Sequence, residues 1–522
     1  MSKNKKKKQK NILLEVTNSL IKILQLDAMV FIFLILCIFP FYYQNKYYNM
    51  GEAKYLFFRY VSTGCLGIFA ALWILSLIIG RKSHTEKRRP SVIDWFVLAY
   101  GGTVWISYLF SDYKETALWG YGGWYVGLVT QMFFVLIYFL VSRFWVKNKI
   151  ILVAGSGVAS IVFLLGVMHR FLLDPLELYL QLDSFYYPLF LSTIGQATWY
   201  SSYLCTVFSI GLYFYWNGEK TWERIFGGWF TVIGFATMVT QNSDSAFIGF
   251  LLILFVFFWF SFSSNTYFKR FLEILLMGLL TFRCIGILQI IFSERTVELE
   301  PLSIFASQSP FMMIPLVLIG VFYYFVCKAD KGGGWEIQKY QKVRKAFLWV
   351  LVASLPISII LIYFVTTGSL ESLKGVGYLN FDKYWGNARG FTWMFTADLF
   401  LQFPLFNKMF GVGPDCYAPA ALDFNHEVLW AQWGNDVLTN AHNEWFTALI
   451  FFGIVGLIAY GGIFISGAAR FAKKAYKEPF LVALTACILG YMGHNFFCYQ
   501  QVVCTPFIFL FIGMGEGILR KE

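Results

Sequence analysis

Two histidine–asparagine pairs and a few arginines are the residues of this chain best suited to chemistry. Histidine is scarce, with five among 522 residues. His442 is followed by Asn443 and Glu444, and His494 by Asn495. A neutral imidazole accepts a proton near neutral pH. Asn440 stands two residues before His442, at the start of an apolar run. It is expected to cap a helix and to place His442 in the first turn, where the positive helix end favours the neutral ring. Asn443 and Glu444 would orient that ring or bind a ligand; the alternative is a histidine satisfied by its own loop. Arg389 lies in a polar segment, and Arg170, Arg283 and Arg295 fall near the outer face of the expected topology. Guanidinium grips phosphate through paired hydrogen bonds, which makes these arginines candidates for holding an anion. Arg283 sits inside an apolar run, where a charge is costly unless paired or hydrated, so it should face a polar cavity or pair structurally. His169 beside Arg170 reads in the same two ways. His426 reads as solvated, and His84 lies among basic residues; neither is a candidate. The chain has no Asp-x-Asp pair to bridge a metal to a nucleotide diphosphate, no Ser-His-Asp context and no Walker loop.

The elements that must position these groups follow from composition. Hydrophobic residues make up 58% of the chain, mean hydropathy is +0.60, and charged residues are 14%, too few to coat a soluble protein of this length. The apolar residues fall in blocks of roughly 18–24, the length that crosses a hydrocarbon core. The expected fold is all-α and polytopic, with about 14 transmembrane helices (12–14). The blocks start near Ala28, Phe57, Val92, Gly123, Ile150, Ala197, Ile225, Ser245, Phe271, Pro310, Ala346, His442, Pro479 and Val502. Three parts result: an N-terminal membrane bundle of about eleven spans over 1–366, a polar loop domain over 367–441, and a three-helix membrane segment over 442–522.

Basic residues set the expected orientation. With the N-terminus inside, basic clusters at 3–10, 81–89, 143–149, 220–224, 269–270, 328–345, 470–477 and 520–521 all fall inside, roughly 31 of the 42 Lys and Arg. Both termini are then cytoplasmic and the loop 367–441 is extracytoplasmic. Inner-loop lysines and arginines also account for the net charge of +12 without nucleic acid. The first apolar block is of membrane length and lacks a small-residue cleavage site, so no cleaved signal is expected. The nine cysteines are scattered and odd in number, which argues against a disulfide framework, Cys416–Cys498 included.

The polar loop is too long to be a simple connection. Residues 387–403 read as a short amphipathic helix stopped by Pro404, with Trp393, Ala397 and Phe400 at helical spacing. A turn follows at Phe410-Gly411-Val412-Gly413-Pro414-Asp415, whose glycines permit close backbone approach.

Taken in order, NARGFTWMFTADLFLQFPLFNKMFGVGPDCY and NAHNEWFTALIFFGIVGLIAYGGIF resemble the signature region of the O-antigen ligase and O-antigen polymerase-like superfamily of bacterial membrane glycosyltransferases. The matching positions are Arg389, Trp393, Pro404, Gly411, Gly413, His442, Asn443, Gly453 and Gly456. IGQATWYSSYL and TQNSDSAFIGFLL resemble two upstream segments of the family; the second departs from it, with Ser243-Asp244 where the family often has Ser-Arg. The resemblance covers roughly residues 190–260 and 385–515.

The resemblance implies a glycosyltransferase of the cytoplasmic (inner) membrane, working at its extracytoplasmic face on an undecaprenyl-pyrophosphate-linked oligosaccharide donor and a glycan or lipid acceptor. On that reading His442 takes the acceptor proton and Arg389 stabilises the leaving pyrophosphate. Arg283, Arg170, Asn443, Glu444, Trp393 and His494 contribute to substrate binding. Aromatic faces such as Trp393 can stack on sugar rings or form an interfacial belt. The reaction is expected to be inverting and to need no metal or other cofactor. A lipid-linked oligosaccharide flippase is the alternative from another class; it calls for paired halves and broken midplane helices, and no paired halves are evident. A non-catalytic scaffold would tolerate loss of His442 and Arg389.

Overall fold

The structure is a computed structural model, and it describes residues 2–83 and 89–521; His84 lies outside the described residues. The fold is all-α. The chain begins with α1 (Ser2–Phe33), α2 (Met50–Ser83), α3 (Val92–Phe110), α4 (Lys114–Trp119), α5 (Leu128–Phe144) and α6 (Lys149–Arg170). A two-stranded antiparallel ribbon, β1 (Phe190–Leu191) and β2 (Gly195–Gln196), pairs Phe190 with Gln196. Then come α7 (Ala197–Trp216), α8 (Thr221–Thr240), α9 (Ser245–Ser261), α10 (Asn265–Ile291), α11 (Pro301–Gln308), α12 (Met313–Lys331) and α13 (Gln341–Thr366). The polar segment holds α14 (Trp385–Gln402), α15 (Leu405–Phe410) and α16 (Tyr417–Trp433), and the chain finishes with α17 (Glu444–Lys474), α18 (Phe480–His494) and α19 (Thr505–Leu519).

Each apolar block read from the sequence is helical. Among the described residues, eight helical stretches are long and apolar enough to cross a membrane, so the chain is a multi-pass membrane protein. Four further apolar helices, α5, α9, α18 and α19, are shorter. At 15 residues, α18 rises about 22 Å, less than a hydrocarbon core of about 30 Å. Burial explains how so short a helix is accommodated: nearly every residue of α18 and α19 is covered by neighbouring helices. Helix α18 lies against α9 and α7, and α19 against α5. Close approach needs small residues at the crossing. A Cβ on Gly249 would lie 2.6 Å from Cys205 Sγ and 2.9 Å from the carbonyl oxygen of Gly490. By contrast, the apolar windows of α12 and α13 are each only 6% buried, leaving their side chains to lipid. All nine cysteines are free.

The bundle has two chemically distinct ends. At one, the basic clusters meet carboxylates: Lys147 with Glu478 at 2.5 Å, Lys269 with Asp330 at 2.5 Å, Arg143 with Asp94 at 2.8 Å, Lys149 with Glu223, and Arg520 with Asp94. Helix α18 starts two residues after Glu478 and carries His494 about 22 Å away, to the opposite end. That end also gathers the ribbon, α14 and the start of α17.

Candidate active site

The site is assembled where α17 begins. Asn443, not Asn440, caps the helix: its Oδ1 accepts from the backbone N–H of Trp445 at 2.9 Å and Phe446 at 3.0 Å. Asn440 instead accepts from the N–H of His442 at 2.9 Å, and His442 turns into the left-handed region with φ 47°. Two asparagines three residues apart compete for one cap, and the second wins because the apolar run can start only after the turn that the first one makes. His442 therefore precedes the helix rather than occupying its first turn. Burial, with the positive charge of Arg389 acting the same way, pushes its imidazole down to about 4. The ring is neutral at physiological pH, as expected, but through desolvation rather than position within the helix. It meets Tyr499 edge-on, with ring centroids 5.5 Å apart.

Helix α17 is broken at Gly453, where φ is 67°. A broken helix in a membrane must find new partners for its freed carbonyls. The turn after α15 supplies them: Val412 N–H donates to the carbonyl of Ile450 at 3.0 Å and Gly413 N–H to that of Phe451 at 3.3 Å, while Ser107 Oγ donates to Phe451 at 2.5 Å. A Cβ on Gly411 would sit 2.2 Å from the Phe451 oxygen, and one on Gly453 2.3 Å from the Met409 carbonyl carbon. Gly411, Gly413 and Gly453 thus form a single device that docks the polar segment on the broken helix.

Asp415 extends that device. Its Oδ2 accepts from the N–H groups of Tyr121 at 2.7 Å and Val126 at 2.9 Å, and burial pushes its carboxyl up to about 7. It pins the loop 120–126, which carries Trp124 against Tyr499 with centroids 4.7 Å apart. Tyr499 donates to Gln196 Oε1 at 3.0 Å and receives Trp199 Nε1–H at 3.3 Å. The sequence showed Asp415 only as the end of a turn; its partners are nearly 300 residues away, and nothing local signals them.

Arg389 lies where α14 becomes regular, after three residues with positive φ. The guanidinium donates to the Gly386 carbonyl at 2.6 Å and twice to the Phe497 carbonyl, at 3.3 and 3.1 Å. Among the described residues it has no carboxylate at ion-pair distance; Asp244 acts on its charge only from further off. That charge acts on His442, His494, Cys498 and Tyr499 together. The buried stripe of α14 is Thr392, Phe395, Thr396 and Leu399, not the expected Trp393–Ala397–Phe400 face, since Ala397 is exposed. The stripe is set by α16, whose Tyr417 hydroxyl meets Thr396 Oγ1 at 2.7 Å. Trp393 sits instead in an aromatic cluster with Trp385, Phe446, Phe496 and Phe497, at centroid distances of 5.3 to 5.8 Å. Its buried Nε1–H has no partner.

His494 and Glu444 join the same end. His494 Nδ1 meets Asn495 Oδ1 at 2.7 Å, and Asn495 Nδ2 donates to the Glu444 carboxylate, which also receives Tyr460 and Tyr491. The structure therefore brings His442, Asn443, Glu444, Arg389, Trp393 and His494 to one region. Arg170 and Arg283 are used elsewhere. Arg170 is fully buried and donates to the carbonyls of Thr240, Tyr187, Pro188 and Gln241, which staples the segment before β1 to the end of α8. Arg283 donates to the carbonyls of Ser307 and Ser309 at 3.0 and 3.3 Å, closing the end of α11. Of the two readings their sequence positions allowed, structural pairing describes both.

The sequence model of a family described as O-antigen ligase matches residues 299–461, a stretch that contains Arg389, Gly411, Gly413, His442, Asn443 and Gly453. A search of curated proteins gave no match. Over that stretch, about a third of its length, the chain is similar to the O-antigen ligase family.

Proposed function

We propose that the protein transfers a glycan from an undecaprenyl-pyrophosphate-linked donor to an acceptor hydroxyl at the extracytoplasmic face of the cytoplasmic membrane, through about 14 spans with both termini inside. The observation that carries this reading is a guanidinium with no carboxylate at ion-pair distance among the described residues, Arg389, within electrostatic reach of a neutral imidazole, His442, at the end of the bundle opposite the basic clusters. The positive-inside tendency of those clusters supports an outside position for the site end.

Pyrophosphate is a good leaving group, so the protein mainly has to steady the charge that builds on it and remove the acceptor proton. The acceptor O–H gives its proton to His442. The oxygen attacks the anomeric carbon as the bond to pyrophosphate breaks, and Arg389 takes up the developing negative charge. Attack from the face opposite the leaving group inverts the anomeric carbon. Arg389 spends part of its donor set on two carbonyls, which hold the guanidinium in place while leaving its charge available.

The test is incubation of the purified protein with the lipid-linked oligosaccharide and candidate acceptors in EDTA. Transfer with inversion supports the proposal, and product length separates a polymerase from a ligase. Retention at the anomeric carbon, or a requirement for added Mg²⁺, contradicts the mechanism. Movement of the lipid-linked donor across vesicles without transfer would favour a flippase.

A further inference from the structure

Glu444 is a fully buried carboxylate with no cation at ion-pair distance among the described residues. An ion in that setting survives only if donors surround it. A chain of neutral groups supplies them, and its direction can be read from one anchor. Gln131 Nε2 donates to the carbonyl of Val126 at 2.8 Å, and a carbonyl can only accept, so the amide orientation of Gln131 is set. Its Oε1 then accepts from Tyr100 at 2.5 Å, and its Nε2 donates to Gln500 Oε1 at 2.5 Å. Gln500 Nε2 must in turn donate to Tyr460, at 3.1 Å, and the single Tyr460 proton goes to Glu444. The donors thus run one way and end on the carboxylate. Tyr491 reaches both of its oxygens, at 3.0 and 2.9 Å.

The consequence falls on His494. Asn495 presents its NH₂ to Glu444, which turns Asn495 Oδ1 toward His494. Ser202 Oγ donates to the same Oδ1 at 3.3 Å. Facing an acceptor at 2.7 Å, His494 Nδ1 must carry the ring proton, and Nε2 is left with a bare lone pair. That Nε2 is buried and unpartnered, on a side chain with 0% exposure, in a region where the charge of Arg389 is felt.

We infer that Glu444 acts through Asn495 to hold His494 as a hydrogen-bond acceptor, and that the bare Nε2 of His494 receives a sugar hydroxyl of the bound glycan. His494 is then a substrate-binding residue, Glu444 a positioning residue, and His442 keeps the proton-abstracting role. The ligand class rests on the glycosyl-transfer reading; the tautomer does not.

Selective ¹⁵N-histidine labelling of the full-length protein in detergent reads the tautomer directly, with His494 assigned by the signal lost in His494→Gln. The expected wild-type state is the Nδ1–H tautomer with an unprotonated Nε2. Glu444→Gln, which lets Asn495 turn over, should shift His494 toward Nε2–H and lower kcat/KM for transfer roughly tenfold, the loss of one hydrogen bond. A wild-type Nε2–H tautomer overturns the inference without any variant having to fold. So does Glu444→Gln with an altered tautomer and unchanged transfer. The expected tautomer in a protein that transfers no glycan would leave the relay standing and sink the function.

Discussion

At the scale of the residue, the account rests on environments more than on residue types. His442 was legible as a candidate because histidine is rare here and opens an apolar helix, but the reason for its neutrality was not. That reason is burial and a guanidinium from another helix, and neither is written in the local sequence. The linkage has a definite sign. The His442 pKa falls from about 6.5 unfolded to about 4 folded, so its contribution to stability is complete above pH 6.5 and is lost as pH falls toward 4. Transfer is accordingly expected to show no His442-dependent loss between pH 8 and 5 and to fall near pH 4. A decline centred at pH 6.5 in a pH–rate profile would mean that the ring is solvated. Asp415 has the opposite sign: its pKa is raised to about 7, so its contribution is full below the usual carboxylate range and is lost as pH rises toward 7. Asp415→Asn keeps an oxygen for Tyr121 and Val126 and removes the buried charge. Relative to wild type, the variant should gain stability on the order of 2 kcal/mol between pH 5 and pH 7, read as unfolding midpoints in detergent at the two pH values.

At the scale of the element, the apolar blocks were legible because a membrane span is a long, unambiguous signal. What the sequence concealed was how one element ends and another docks. The start of α17 shifted by three residues because two asparagines could cap it. The buried stripe of α14 shifted because α16 packs Tyr417 and Phe424 against that face. The pairing of the Gly411–Gly413 turn with the break at Gly453 was invisible because its hydrogen bonds join residues some 40 positions apart. That pairing makes a sharp prediction. Gly411→Ala meets a left-handed φ of 77° and a backbone oxygen at 2.2 Å. It should cost about 3 kcal/mol or more and undock the polar segment, seen as a lower unfolding midpoint and faster proteolysis within 367–441. Gly375→Ala, with nothing within 4 Å, should do neither.

At the scale of the whole molecule, separation of charge from chemistry is the organising feature. Most ion pairs among the described residues lie at one end of the bundle, and the candidate site occupies the other. Charge pattern alone suggested this polarity, because basic loops recur along the chain at every second connection expected between spans. The convergence of segments near residues 124, 196, 389, 442 and 494 was not legible, since it depends on which helices become neighbours. The orientation can be checked with impermeant thiol labelling in intact cells. A cysteine replacing the exposed Glu371 should react, and one replacing the exposed Lys339 should be protected until the cells are opened. The reverse result would place the site in the cytoplasm and remove the proposed donor from reach.

The central claim, that Arg389 and His442 together perform glycosyl transfer, is tested most directly by measuring transfer from the lipid-linked oligosaccharide with purified wild type, His442→Ala and Arg389→Ala, each verified as folded. Wild type should transfer, and each variant should lose at least about 100-fold. Wild-type transfer that survives both substitutions would contradict it.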